Sequence, residues 1–115
     1  MVTSRKPKRE YVYQAPINEE KLRQQLIYHA YRSREEWNTQ PWVPGNLFDV
    51  WLRDENLGEA QVILEEARWI KDLNAQDALL TGFQNEKELR QAVTTWLGLG
   101  DTQREVVFRV LYRWL

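Results

Sequence analysis

The residue types most often used in catalysis and metal binding are histidine, cysteine and the carboxylates. The chain has 115 residues, with one histidine, His29, and no cysteine. The lack of cysteine excludes thiolate catalysis, disulfides, iron–sulfur clusters and zinc sites with Cys ligands. A catalytic triad would need His29 to meet a hydroxyl nucleophile, and no nucleophile motif supports one. We therefore predict no catalytic residue, no metal site and no cofactor.

Carboxylates that could act in pairs stand next to each other in sequence, as Glu19 with Glu20, Glu35 with Glu36, Asp54 with Glu55 and Glu65 with Glu66. Neighbouring side chains on a helix point about 100° apart, so such pairs do not converge on one substrate. We interpret them as helix caps and solvated faces. The spacing of Arg23 and His29 is similar to the arginine-to-histidine spacing of the helical HEPN ribonucleases. One arginine and one histidine do not establish membership of that family, and a ribonuclease that uses these two residues is kept only as a third alternative.

Helix start and stop signals recur along the chain and predict an all-α fold. Asn18 precedes two acidic residues and predicts the start of a helix that extends to about Trp37. Further helices are predicted over residues 46–52, 59–73, 85–98 and 102–115, with a one-turn helix after Asp77. The expected architecture is a compact bundle of four to five helices with short loops, in a single domain over residues 11–115.

The C-terminal segment carries the strongest signal in this prediction. Placed on a helix, its apolar residues cover an arc of about 240° and leave a narrow strip for Glu105, Arg109 and Arg113. A surface helix needs an apolar arc of little more than about 100°. The predicted C-terminal helix therefore either runs through the middle of the domain or has one face covered by a second chain. Our leading hypothesis is that it contributes both to the core and to a contact with a partner or a second copy of the chain.

The first ten residues differ in charge from the rest of the chain. Residues 1–10 sum to +3, and the remaining residues sum to −4. Without apolar periodicity, residues 1–10 are predicted to form a disordered basic arm. No apolar run reaches the ~18–20 residues of a membrane span, and no signal peptide is evident, so we predict a cytoplasmic protein without membrane contact.

With catalysis unsupported, the sequence predicts a non-enzymatic protein–protein interaction module, such as a regulator, an adaptor or a small subunit, whose partner is another protein or a second copy of the chain in a homodimer. Tyrosine, tryptophan and arginine are typical of interfaces. The predicted partner-binding residues are Tyr28, Tyr31, Arg32, Trp42, Phe108, Tyr112 and Leu115. The alternative is a nucleic-acid-associated accessory protein that contacts phosphates through Arg5, Lys6, Lys8 and Arg9.

Overall fold

The computed structural model describes residues 9–13, 17–99 and 105–115, and within these ranges the chain forms a curled five-stranded sheet with four α-helices. The strands are β1 (Arg9–Tyr13), β2 (His29–Arg32), β3 (Leu47–Leu52), β4 (Glu55–Trp69) and β5 (Val106–Trp114). The helices are α1 (Glu19–Arg23), α2 (Arg34–Thr39), α3 (Ala75–Leu80) and α4 (Glu86–Leu97), and a 3-10 turn at Ile70–Asp72 follows β4.

The prediction of an all-α helical bundle is wrong. The segments predicted as helices over residues 46–52, 59–73 and 102–115 form mainly β3, β4 and β5. The first predicted helix begins correctly after Asn18 but ends at Arg23, and the rest of its predicted length contains β2 and α2. The helix over residues 85–98 agrees closely with α4, whose cap Asn85 accepts a hydrogen bond from the Glu88 N–H.

The strands are ordered β1-β3-β4-β5-β2, with β1 parallel to β3 and the other neighbours antiparallel. Each face of this sheet carries a hydrophobic core. One core fills the concave side of the curl and includes Phe48, Val50, Val62, Val110 and Tyr112. The second lies under α3 and α4 and includes Ile70, Leu73, Leu89, Val93 and Val107. The sheet is thus a middle layer for much of its area.

Strand β5 explains the wide apolar arc that was predicted for a C-terminal helix. Side chains on a strand alternate between the two faces of the sheet. Val110 and Tyr112 face the concave core, and Val107 faces the core under the helices. Because the concave-facing side of β5 is apolar throughout and the opposite side also carries Val107 and Leu111, a helical projection of the strand displays a broad apolar arc. The expectation of a partner around a C-terminal helix therefore loses its basis.

Two tyrosines on β1 bridge the gap between the two ends of the sheet. The Tyr11 hydroxyl donates to the main-chain oxygen of Tyr31 at 2.7 Å and accepts from the Tyr31 N–H at 3.2 Å. The Tyr13 hydroxyl donates to the main-chain oxygen of His29 at 2.7 Å. Because β2 is the last strand of the sheet, these contacts occupy main-chain groups that would otherwise remain an open edge.

Candidate binding cleft

A cleft opens between α3 and the part of the sheet formed by β2 and β5. Its volume is about 390 Å³, toward the lower end of the ~300–1,000 Å³ that is usual for ligand sites. Tyr28, His29, Arg109 and Leu111 line it from the sheet, and Arg68 lines it from β4. Asn74, Gln76, Asp77 and Leu80 line it from α3 and its cap. The cleft therefore combines apolar walls with charged and amide groups.

The capping of α3 fixes the position of Asp77 in this cleft. Asn74 accepts a hydrogen bond from the Asp77 N–H through Oδ1, and Asp77 Oδ2 accepts from the Asn74 N–H, both at 3.0 Å. This reciprocal arrangement is a capping box, which satisfies N–H groups at the start of a helix. It leaves Asp77 Oδ1 free to turn toward the sheet, where it contacts the Arg109 guanidinium.

Arg109 lies at the centre of a network of two cations and two anions. Its guanidinium contacts the carboxylates of both Asp77 and Glu66. Arg68 lies 3.4 Å from Asp77 Oδ2 and 3.8 Å from Glu66 Oε1. Opposite charges therefore balance within the cleft. Arg109 and Leu111 share one face of β5, which explains why a residue of a buried strand reaches this open site.

His29 forms part of the floor of the cleft. The residue is 4% exposed, and its Nδ1 has no hydrogen-bond partner within the described ranges. Burial, followed by the positive charge of Arg109, lowers the pKa of His29 from 6.5 to about 4. The imidazole is therefore neutral at pH 7.

This low pKa predicts a dependence of stability on pH. Because the folded state binds a proton at His29 less readily than the unfolded state, unfolding becomes easier as the pH falls from 6.5 to about 4. Above pH 6.5 the pKa shift of His29 does not change the free energy of unfolding. Between pH 6.5 and about 4 the shift lowers the free energy of unfolding by roughly 3 kcal/mol. Urea unfolding across this window should show a smaller loss for His29→Leu than for the wild type. Equal slopes for the two proteins would contradict the assignment.

A second cavity lies on the other side of His29, between β1, β2 and α4. Its lining includes Tyr11, Tyr13, Tyr31 and Trp96, and its volume is about 20 Å³. This is close to the space that one water molecule needs. The cavity is therefore too small for an organic ligand, and we place the candidate site in the cleft.

Most of the predicted partner-binding residues are buried in the fold. Tyr31, Arg32, Trp42, Phe108 and Tyr112 are each less than 9% exposed. Trp37 covers Phe108 with a parallel stack whose ring centroids are 4.7 Å apart. Only Tyr28 and Leu115 of the predicted set are exposed, at 38% and 56%. A partner that meets the folded chain would thus contact these two, and Tyr28 lies at the cleft.

Arg32 forms an ion pair with Glu65 inside the concave core. Its Nη1 lies 2.8 Å from Glu65 Oε2, and the two side chains are 5% and 0% exposed. Nη2 donates to the main-chain oxygens of Glu36 and Gln40 at 3.0 and 2.8 Å. The main-chain N–H of Trp42 donates to Glu65 Oε1 at 2.9 Å, and the Trp42 ring lies 4.3 Å from the Arg32 guanidinium. The pair fastens residues 36–42 to the sheet.

The remaining predicted residues do not form a site with the cleft. Arg5, Lys6 and Lys8 lie outside the described residues, while Arg9 begins β1 and is half-buried. Of the pair proposed from the HEPN spacing, Arg23 is an exposed residue of α1 that bonds Glu55 at 3.3 Å, whereas His29 is buried in β2. The two residues therefore do not share a helix.

Sequence reasoning missed the charged residues that define the cleft. The sequence predicts Asp77 at the start of a one-turn helix and Arg109 on the narrow polar strip of a C-terminal helix, and it indicates no site role for Glu66, Arg68, Gln76 or Leu80. The order Asn74-x-x-Asp77 is one signal that could have located the start of α3. Nothing local in the sequence indicates that Asp77 and Arg109 meet.

Comparisons with known proteins give a structural relative. No family model and no curated protein matches the chain. One solved structure that resembles it is the crystal structure of protein EF3133 from Enterococcus faecalis V583, described with the family model DUF984. The TM-score is 0.64 at 10% sequence identity, over 84% of this chain and 68% of that chain. The likeness is one of fold. It agrees with a mixed α/β architecture and disagrees with an all-α bundle.

No helix within the described ranges has the length and apolar character needed to cross a membrane.

Proposed function

We propose that the domain is a non-enzymatic binding module of the cytoplasm whose cleft receives a polar group of a protein partner. The observation that carries the proposal is the convergence of Arg68, Arg109, Glu66 and Asp77 beside the partly exposed ring of Tyr28. A concave site with apolar walls and a few converging polar groups is the usual form of a recognition pocket.

The charges of the cleft favour a neutral ligand group over an ion. Two guanidinium groups balance two carboxylates, and His29 is neutral because its pKa is about 4. The side-chain amides of Asn74 and Gln76 at the rim can both donate and accept hydrogen bonds. A peptide group or an Asn or Gln side chain of the partner has the same dual capacity, and Tyr28 offers a ring against which a planar amide packs.

The ion pairs of the cleft support a role in binding in preference to catalysis. A general base must reach the proton that it removes, within about 2.6–3.2 Å. His29 is 4% exposed, and both carboxylates of the cleft are already engaged by Arg109. These groups hold the shape of the cleft and present hydrogen-bonding edges, which fits the role of an adaptor, a regulator or a small subunit.

An NMR titration of the ¹⁵N-labelled chain tests the proposal. The probes are the N-acetyl N-methylamides of Gln, Asn and Asp, with nucleoside monophosphates as a competing class. We expect saturable shifts for the Gln and Asn probes at the amides of Tyr28, Gln76, Arg109 and Leu111, and weaker shifts for the charged Asp probe. The absence of saturable shifts at these positions for every amide probe would contradict the proposal.

A second candidate function is a nucleic-acid-associated accessory role for the N-terminal residues. The observation that favours it is the charge of +3 on residues 1–10 against −4 on the rest. Phosphate contacts by Arg5, Lys6, Lys8 and Arg9 would give binding that weakens steeply with salt. Deleting residues 1–8, which removes three of these four cations, should then sharply weaken the binding of a single-stranded oligonucleotide at low salt. If the intact chain binds none at low salt, this candidate fails.

A further inference from the structure

Strand β4 extends well beyond β3, which is one of its two neighbours in the sheet. β3 pairs with β4 as far as Leu47 opposite Gln61, and Gly45 and Asn46 bond to the main chain of Val62. β5, on the other side, pairs with β4 as far as Val106 opposite Trp69. From Glu65 to Trp69, β4 therefore has a neighbouring strand on one side and none on the other within the described ranges.

The register identifies the main-chain groups that face this open side. The Ile70 N–H donates to the Glu105 main-chain oxygen at 2.9 Å, so residue 70 faces β5. In an antiparallel pair the groups of successive residues point alternately toward and away from the partner. The N–H and C=O groups of Glu66 and Arg68 thus face β5, whereas those of Glu65, Ala67 and Trp69 face outward.

Exposure supports this assignment. The Glu65 side chain is 0% exposed, yet the residue as a whole is partly exposed, so solvent reaches its main chain. Ala67 is exposed, and Trp69 is 48% exposed. An edge with free main-chain groups and an exposed aromatic is a template for another strand.

We propose that this edge pairs with the same edge of a second copy of the chain, antiparallel and centred on Ala67. This register places Glu66 of each copy opposite Arg68 of the other, and opposite charges across strands are favourable. Centring the pair on Glu66 would instead place two glutamates face to face. The two-fold contact is self-complementary, as a closed dimer requires.

The contact at Ala67 and Trp69 fits the same arrangement. Ala67 lies opposite its own copy, where its small side chain allows close approach. Trp69 lies opposite Glu65 of the second copy, whose side chain points into its own core. The Trp69 ring is then free to cover main chain that solvent reaches in the single chain. This dimer uses β4 and does not depend on ligand binding in the cleft.

Sedimentation equilibrium over a range of concentrations tests the dimer. The wild type is expected to shift toward twice its monomer mass as its concentration rises. Ala67→Pro should remain a monomer with an unchanged far-UV spectrum, because the N–H that proline removes points away from β5. Ala67→Lys should also remain a monomer, since two cations then face each other. Leu79→Lys, at a 68% exposed position on α3, is the matched control that should still dimerise.

Hydrogen exchange of the wild type gives a second readout. The amides of Glu65, Ala67 and Trp69 should exchange several-fold more slowly at high than at low concentration, with little change at Glu66 and Arg68. A wild type that stays monomeric at high-micromolar concentration would overturn the proposal. The proposal would also be overturned if both Ala67 variants dimerised as tightly as the wild type. It would be overturned too if the amides of Glu66 and Arg68 became as protected as those of Glu65, Ala67 and Trp69.

Discussion

Arg32→Met is expected to lower the free energy of unfolding by about 3–5 kcal/mol. The Glu65 side chain is 0% exposed, so the substitution leaves a carboxylate in the core without its cation. It also removes the donors to the main-chain oxygens of Glu36 and Gln40. Denaturant unfolding measures the change, and we expect residues 36–42 to become protease-sensitive because the ion pair anchors them.

Two comparisons separate the loss of the pair from the loss of packing. The double variant with Arg32→Met and Glu65→Met should lose much less free energy of unfolding than Arg32→Met alone, because it leaves no buried charge unpaired. Arg53→Met removes the ion pair between Arg53 and Glu19, whose side chains are 63% and 41% exposed, and should lower the free energy of unfolding far less than Arg32→Met does. A cost for Arg32→Met as small as that for Arg53→Met would contradict the account.

Tyr112→Ala is expected to cost about 3–5 kcal/mol, the range for removing a buried aromatic side chain. Tyr112 is 1% exposed, and its ring packs against Phe48 and Trp114. Its hydroxyl meets the Tyr13 hydroxyl at 2.6 Å and donates to the Ile27 main-chain oxygen at 3.0 Å. The variant therefore loses a core contact and the link between β5 and the chain before β2.

Leu111→Ala is the matched control for Tyr112→Ala. Leu111 is the preceding residue, but it faces the opposite side of the sheet and lines the open cleft. Because it is only half-buried there, its truncation should cost about 1 kcal/mol. Chemical denaturation of both variants measures the difference. Equal and large costs at positions 111 and 112 would indicate a segment buried on all sides, as on the predicted C-terminal helix.

The helix caps could be predicted from the sequence because they are local. Asn18 and Asn85 each cap a helix through contacts within three residues along the chain. The same signals did not determine how far a helix extends. After α1 the chain turns into β2, whose residues are all buried, and the pairing of β2 with β5 overrides the predicted continuation of the first helix to about Trp37.

The nature of β4 and β5 could not be predicted from periodicity. In β4 the register shifts between Val62 and Leu64, and a bulge of this kind moves the inward-facing positions by one residue. Val62, Ile63, Ala67 and Ile70 also recur at spacings that fit one face of a helix, although of these four only Val62 and Ile70 are buried. In β5 one face is apolar throughout, but the other carries Val107 and Leu111 beside Arg109 and Arg113, so the alternation is only partial.

The cleft could not be predicted from the sequence for a different reason. Arg109 and Asp77 stand 32 positions apart, and they meet because β5 crosses the sheet beneath α3. Glu66, the other carboxylate that contacts Arg109, stands 43 positions from it. Such contacts depend on the order of the strands, which the sequence pattern did not reveal. Tyr28 was the exception, since its residue type alone suggested a surface for binding.

The cleft is tested most directly by a matched pair of variants on α3. Leu80 lines the cleft, while its neighbour Leu79 is 68% exposed and lies outside the cleft lining. In the NMR titration with the N-acetyl N-methylamide of Gln, Leu80→Glu should abolish saturable binding, because it places a charge in the wall. Leu79→Glu should bind as the wild type does. Undiminished binding by Leu80→Glu, in a variant that remains folded, would contradict the account.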